Sequence, residues 1–190
     1  MRKIILVLMI SLLLLAGCSA GGKLQKDVDS FCEDLKNAAS LSFEGKISAN
    51  LGSEVFDFTV SYESGGGEAV VEITEPRLIA GVKAHVYEGG AGLEYEDVFI
   101  SVGSITEDGT TPMEAIPTVM RAMKIGYVSG CYKEKSGDSE LTAATFLVTD
   151  TLDVKVWFSP DTMTPVYAEL IDSGSVAASV AISNFTMDRG

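Results

Sequence analysis

The sequence predicts an α+β fold, mainly antiparallel β, in which about eleven short strands and two helical segments form one half-barrel-like domain. From residue 41 onward, apolar side chains recur mostly at every second position, which is the period of a half-buried strand. Glycine, proline and aspartate turn sequences separate these runs, and two stretches with a helical period stand outside them. Because many short strands with one apolar face curl to hide that face, we expect a barrel or half-barrel covered by the helices.

The first 15 residues have the pattern of an export signal. Arg2 and Lys3 precede an apolar run of about 12 residues, which suits a signal-peptide core and falls short of the ~20 residues that span a bilayer. The run ends in Leu15-Ala16-Gly17-Cys18, which resembles the bacterial lipobox. That resemblance implies a diacylglycerol on Cys18 and removal of the preceding leader, whereas the alternative is a plain secretory signal with a chance cysteine.

The expected organisation is therefore a signal peptide at 1–17, a lipid-anchored tether at 18–23 and one domain at 24–190. The protein is expected on the extracytoplasmic face of the cell membrane, held by the acyl chains on Cys18. Two chains on one residue make a durable anchor, whereas one chain binds only marginally.

The charge of the chain limits its partners. Lysine and arginine number 14 against 27 acidic residues, which gives a net charge of −13. Nucleic-acid binding needs clustered cations, so no nucleic-acid partner is expected. Anionic headgroups also repel such a body, which leaves membrane contact to the lipid anchor.

Two cysteines remain once Cys18 is acylated. Cys32 and Cys131 would face an oxidising exterior, where disulfides persist, so a Cys32–Cys131 bridge is a candidate. The alternative is two separately buried thiols that act as small hydrophobes.

The first helix is predicted over 24–40. Apolar residues recur there at spacings of three and four, and charged residues fill the opposite side. Since most of the remaining chain is strand, the apolar stripe should lie on a sheet. That stripe comprises Leu24, Val28, Phe31, Leu35 and Ala38.

The strands follow from residue 41. Each run alternates apolar with polar residues or is a short apolar segment between turns, and no proline falls inside a run. The predicted strands are 41–50, 56–63, 69–73, 82–86, 93–95, 98–102, 127–134, 141–149, 152–158, 166–170 and 176–182.

A second helix interrupts the strands after Thr111. Thr111 can cap it, Pro112 suits its first position, and Glu114 completes a capping box. Pro117 lies within the first turns and predicts a bend or a two-part helix. Gly126 is expected to end the segment.

The domain resembles the LolA/LolB-like lipoprotein carriers and the related LppX/LprG-type lipoproteins. The resemblance rests on the segment 73–82 leading into the strand at 93–96, on the helix after Thr111, and on the strand–turn–strand segment 156–166. These motifs are structural turns and specify fold rather than activity. They imply an unclosed antiparallel barrel whose concave apolar face is covered by helices and, in relatives, accepts acyl chains. Soluble LolA carriers lack a lipobox, so the anchored relatives are the closer comparison.

The sequence contains no pattern that indicates a catalytic site. The single histidine, His85, alternates with core-facing residues and is predicted to be solvated or at a rim. Histidine and cysteine do not cluster, and the acidic residues lack calcium-loop spacing. We expect no catalytic residues, no metal, no cofactor and no enzyme activity.

A methionine-rich stripe on the second helix is the candidate ligand-binding feature. Methionine is flexible and common on surfaces that adapt to apolar partners, so the helix could cover an acyl-binding cavity. The alternative is ordinary core filling. The candidate lining residues are Phe56, Phe58, Met113, Ile116, Met120, Met123, Val156 and Phe158.

The leading hypothesis is a non-catalytic, membrane-anchored lipoprotein that binds a lipid or a lipidated partner in the half-barrel. The alternative is an anchored scaffold of the cell envelope that binds another exported protein, as some relatives are thought to do in spore or germination assemblies. A continuous apolar cavity of several hundred Å³ favours the first, and a filled core favours the second.

Overall fold

A computed structural model describes residues 19–51, 54–103 and 112–189. Within these ranges the chain forms two helices and eleven strands, in an order that places the second helix between the sixth and seventh strands. The helices are α1 (Ser19–Asn37) and α2 (Pro112–Ile125). The strands are β1 (Ser40–Leu51), β2 (Glu54–Gly65), β3 (Glu68–Glu75), β4 (Lys83–Tyr87), β5 (Gly90–Tyr95), β6 (Val98–Gly103), β7 (Tyr127–Ser136), β8 (Ser139–Leu147), β9 (Leu152–Phe158), β10 (Pro165–Asp172) and β11 (Ser175–Asp188).

All eleven strands belong to one antiparallel sheet. Its order is β6-β5-β4-β3-β2-β1-β11-β10-β9-β8-β7, so the first and last strands of the chain meet in the middle. The edges β6 and β7 do not pair with each other in the described part of the chain, and the barrel stays open. The predicted unclosed half-barrel with an N-terminal helix and an inserted helix is thus confirmed.

Both helices lie on the inner face of the sheet. Val28, Phe31 and Leu35 of α1 are buried at helical spacing, and the Phe31 ring packs edge-on against Phe158, with centroids 5.3 Å apart. The main sheet contacts of α1 are with β7, and those of α2 are with β1, β8, β10 and β11. The helices therefore concentrate on one half of the sheet, away from β4–β6.

Both helices differ from the prediction in detail. α1 begins at Ser19, so the residues 19–22 that were predicted as a tether form its first turns. α2 is one continuous helix with Pro117 inside it, so the two-part alternative is wrong. Proline there removes one backbone hydrogen bond, and the helix nevertheless continues to Ile125. The predicted signal peptide and Cys18 lie outside the described residues.

β11 extends six residues further than the predicted strand. Ser42 pairs with Thr186 and Glu44 with Ser183, so two residues of β11 stand opposite Phe43 and form a bulge. Asn184 takes a positive φ of 54° in this bulge. The bulge restores Phe185 to the inner face, where its ring lies 5.9 Å from Phe31 and 6.1 Å from Phe43 between centroids.

Over the ranges that the structure covers, neither helix combines the length and the apolar character needed to cross a membrane.

Candidate apolar binding site

Most of the predicted ligand-binding residues fill the core. Their side chains are at most 3% exposed and pack into one cluster with the inner face of the sheet, and Met120 also borders the pocket described next. Filling of the core therefore describes them better than lining of a cavity does. They are Ile116, Met120, Met123, Val156 and Phe158. Of the remaining candidates, Met113 and Phe58 are half-buried against the core, and Phe56 is 39% exposed.

An open pocket of about 570 Å³ lies beside this core, between the C-terminal half of α2 and the β4–β5 hairpin. Its volume falls within the ~300–1,000 Å³ of typical ligand sites. Met120 is the one predicted ligand residue among those that line it. The lining consists of Tyr62, Ala69, Val86, Tyr87, Gly89, Gly90, Pro117, Thr118, Met120, Arg121, Lys124 and Ile125.

The pocket exists because small residues leave space on the inner face of the sheet. Ala69 of β3 stands opposite Val86 of β4, so a methyl group occupies a position where larger residues stand elsewhere on the strand. The Tyr87 ring lies over Gly90, where a Cβ atom would come within 2.7 Å of it. Tyr87 therefore forms an aromatic side of the pocket and Ala69 its short aliphatic base, and residues of α2 form the opposite side.

The inner face next to the pocket is apolar and exposed. Ala84, Leu93 and Ile100 form one row across β4, β5 and β6, and their exposure rises from 4% to 37% and 59%. Val98 and Tyr95 form a second exposed pair on the same two outer strands. Exposed apolar patches of this kind mark binding surfaces.

Arg121 and Lys124 stand at the border of the pocket. Both follow Pro117 on one stripe of α2, at helical spacings of four and three. Neither forms an ion pair with any carboxylate in the described part of the chain. Two positive charges that no carboxylate of the described residues neutralises therefore border an apolar pocket of an acidic protein.

His85 lies on the outer face of the sheet, away from the pocket. Its Nδ1 is 2.7 Å from Glu68 Oε1, and its Nε2 is 3.1 Å from Glu94 Oε2, outside hydrogen-bonding geometry. Lys83 approaches the same Glu94 carboxylate at 3.4 Å. This arrangement ties three neighbouring strands together. In the described ranges no group of three or more histidine, cysteine or acidic residues is arranged to hold a metal ion.

Cys32 and Cys131 are free thiols in the structure, so the candidate disulfide is not formed there. Cys32 on α1 and Cys131 on β7 lie close enough to interact electrostatically, because these two elements pack together. Burial raises the pKa of the Cys32 thiol to about 12 and that of Cys131 to about 11. Both groups are protonated near neutral pH and behave as small hydrophobes.

The fold has counterparts among solved structures. An uncharacterised conserved protein from Thermus thermophilus matches with a TM-score of 0.51 and 7% identity, over 87% of this chain and 86% of that one. An outer membrane lipoprotein-sorting protein domain from Vibrio parahaemolyticus also has a TM-score of 0.51, with 9% identity over 88% of this chain and 94% of that one. The lipoprotein LppX from Mycobacterium tuberculosis has a TM-score of 0.49 and 15% identity over 86% of this chain and 95% of that one.

No family model and no curated protein matches the sequence. At these identities the likeness concerns the backbone, and the predicted lipoprotein-carrier-like architecture is confirmed as a fold.

Proposed function

We propose that this protein is a non-catalytic binding protein that holds an acyl chain in the pocket between α2 and the β4–β5 hairpin. The observation that carries the proposal is the open pocket of about 570 Å³ on the concave face, lined by Ala69, Val86, Met120 and Ile125. Each methylene that leaves water for such a site contributes about 0.8 kcal/mol, so a long chain gains enough to bind. The ligand is either a free lipid or the acyl part of a lipidated partner protein.

The fold supports this proposal in general terms. The Vibrio domain that shares it is described as a lipoprotein-sorting protein, and an open half-barrel offers an apolar face without closing around it. The filled core limits the site, because Met123 and Phe158 are buried in one cluster and an acyl chain that entered it would displace such side chains. The pocket beside the core is open without such a displacement.

We further propose that Cys18 anchors the protein to the extracytoplasmic face of the cell membrane. The lipobox-like junction Leu15-Ala16-Gly17-Cys18 supports this placement. α1 begins at the next residue, so the domain would stand directly at the membrane surface. An acyl ligand could then move between the bilayer and the pocket over a short path.

Lipid extraction tests the binding function. The full-length chain with Cys18→Ala is purified without detergent, and its extracted lipids are identified by mass spectrometry. We expect a stoichiometric amphiphile with at least one acyl chain. Protein that carries no lipid and shows no saturable uptake of a fluorescent fatty acid would contradict the proposal.

The second candidate is an anchored scaffold that binds another exported protein, and the β6 edge favours it. Val98, Ile100 and Val102 are about half exposed or more, and β6 pairs on one side only within the described residues. Such an edge can add a strand from a partner. If a half-barrel ligand is absent and Ile100→Lys abolishes binding of a purified envelope partner, the scaffold function is favoured.

A further inference from the structure

Two basic residues on α2, Arg121 and Lys124, indicate the chemical class of the ligand that this pocket would bind. Pro117, Arg121 and Lys124 follow one another on the helix surface that faces the pocket, with Ile125 beside them. The apolar lining would hold a chain, and the two cations stand where the polar end of that chain would emerge. Arg121 and Lys124 are the basic residues of the described chain that line this pocket.

Resting on the proposed function, we infer that the ligand is an amphiphile with an anionic head group, a carboxylate or a phosphate, bound by Arg121 and Lys124. A guanidinium can contact two oxygens of such a group at once, and an ammonium supplies a compact second charge. Neither cation is neutralised by a carboxylate of the described residues. Among the described residues, a bound anion would therefore compete with water and not with an existing ion pair.

Two electrostatic effects oppose the binding of an anion here, the helix dipole of α2 and the negative net charge of the protein, and both are weaker than the attraction by Arg121 and Lys124. The C-terminal end of a helix carries roughly half a negative charge, which is smaller than the two positive charges on its last turns. The net charge of −13 acts mainly over distances that salt screens, since the Debye length is about 8 Å at physiological ionic strength. Contacts within hydrogen-bonding range dominate the choice of head group.

A smaller recess adjoins Arg121 from the other side of the helix. It has a volume of about 200 Å³ and is lined by Arg121, Ala122, Leu147 and neighbouring residues. Arg121 thus lies between two recesses and is reachable from both. This position leaves room for a head group larger than a carboxylate.

A displacement series tests the inference. The full-length chain with Cys18→Ala is loaded with a fluorescent fatty acid, and four amphiphiles with the same alkyl chain compete for it: palmitate, hexadecyl phosphate, hexadecanol and hexadecyltrimethylammonium. We expect the two anions to bind about tenfold more tightly than the alcohol, the size expected of a partly exposed charge-assisted hydrogen bond. The ratio between palmitate and hexadecyl phosphate then distinguishes a fatty acid from a phospholipid as the source.

Matched double variants assign the effect to the stripe. Arg121→Gln with Lys124→Gln should abolish the preference for anions and leave the affinity for hexadecanol unchanged. A second pocket of about 670 Å³ lies on the outer face of the sheet, and Lys46, Arg77 and Ala181 are among its lining residues. Arg77→Gln with Lys46→Gln removes the same charge beside that outer-face pocket and should leave the preference intact. If the first double variant does not fold, the preference of the parent chain should still fall as salt is added.

The outcomes separate the two proposals. Equal affinity for the anions and the alcohol, or equal loss in both double variants, overturns the head-group inference while acyl binding stands. No saturable binding of any of the four compounds overturns the proposed function itself.

Discussion

Gly45 of β1 and Ile116 of α2 touch where the strand has no side chain: a Cβ atom on Gly45 would stand 3.1 Å from Ile116 Cδ1. The same added atom would lie 3.3 Å from Val60 and 3.5 Å from Val180, on the strands to either side. The missing side chain therefore lets α2 settle onto the centre of the sheet. This contact fixes the helix whose other side borders the pocket.

Replacing Gly45 by valine should destabilise the protein. The added methyl groups overpack a closed site, which costs about 1–3 kcal/mol of unfolding free energy. Urea unfolding measures the loss. Gly130→Val is the matched control, because nothing lies within 4 Å of a Cβ at Gly130 and valine suits a strand. Equal stability of the two variants would contradict the close approach of α2.

Met123→Ala and Ile125→Ala should separate core from surface on the same helix. Met123 is 1% exposed, so its truncation leaves a void and should cost about 2–5 kcal/mol. Ile125 is 77% exposed, and its truncation should change stability by less than about 0.5 kcal/mol. Thermal or urea unfolding gives both values. If Met123→Ala melts like the parent chain and loses only probe binding, the helix is a movable cover and the core assignment is wrong.

The buried thiols should make stability fall at high pH. Burial raises both thiol pKa values above the ordinary 9.0, so in the window from about pH 9 upward the folded state holds protons that the unfolded state has lost. The stabilisation is complete below about pH 9 and is lost as pH rises toward 11 and then 12. Cys32→Ala with Cys131→Ala should reduce this pH dependence, measured by unfolding between pH 8 and about pH 11.

Mass analysis of the non-reduced, unfolded and alkylated protein is the control for that pH dependence, because it reads the state of both cysteines. Two alkylated thiols at Cys32 and Cys131 agree with the structure. A mass lower by two hydrogens, with neither residue alkylated, would instead establish the candidate disulfide and remove the titration. Such a bridge would close a loop of about 100 residues, worth ~4–5 kcal/mol in the chain-entropy model.

Periodicity predicted the eleven strands because most of them have one buried face over a run of several residues. It missed the end of β11, where the bulge at Asn184 shifts the inner positions from Ile182 to Phe185. A period of two cannot survive an extra residue, so the predicted strand ended at the bulge. The start of α1 was missed for a different reason, since two of the residues 19–22 are glycines, which disfavour a helix.

The site was harder to predict than the fold. The methionine stripe was visible in the sequence, but apolar residues at helical spacing are equally compatible with packing in the core and with lining a ligand site. Which side of α2 meets the sheet depends on Gly45, a contact between residues distant in sequence. The pocket arises because Ala69, Gly89 and Gly90 have a small side chain or none, and such positions give no periodic signal in the sequence.

Cys18→Ala should remove the membrane anchor. Without the thiol no diacylglycerol can be attached, so the variant should take up no labelled palmitate and leave the detergent phase. Fractionation and labelling in cells measure both, and Cys32→Ala serves as the control. A variant that still incorporates label and sediments with membranes would show that the lipobox interpretation is wrong.

Ala69→Phe should close the pocket while leaving the fold intact. Ala69 lies half-buried at the pocket floor, so a benzyl group there would point into the open space and occupy part of about 570 Å³. We expect loss of saturable fatty-acid probe binding with little change in unfolding free energy. Ala181→Phe adds the same group on the outer face, where Ala181 is exposed and lines the separate pocket, and should bind like the parent chain. Retained binding in Ala69→Phe, or loss in Ala181→Phe, would place the ligand elsewhere, because each phenylalanine obstructs only the pocket that its strand face borders.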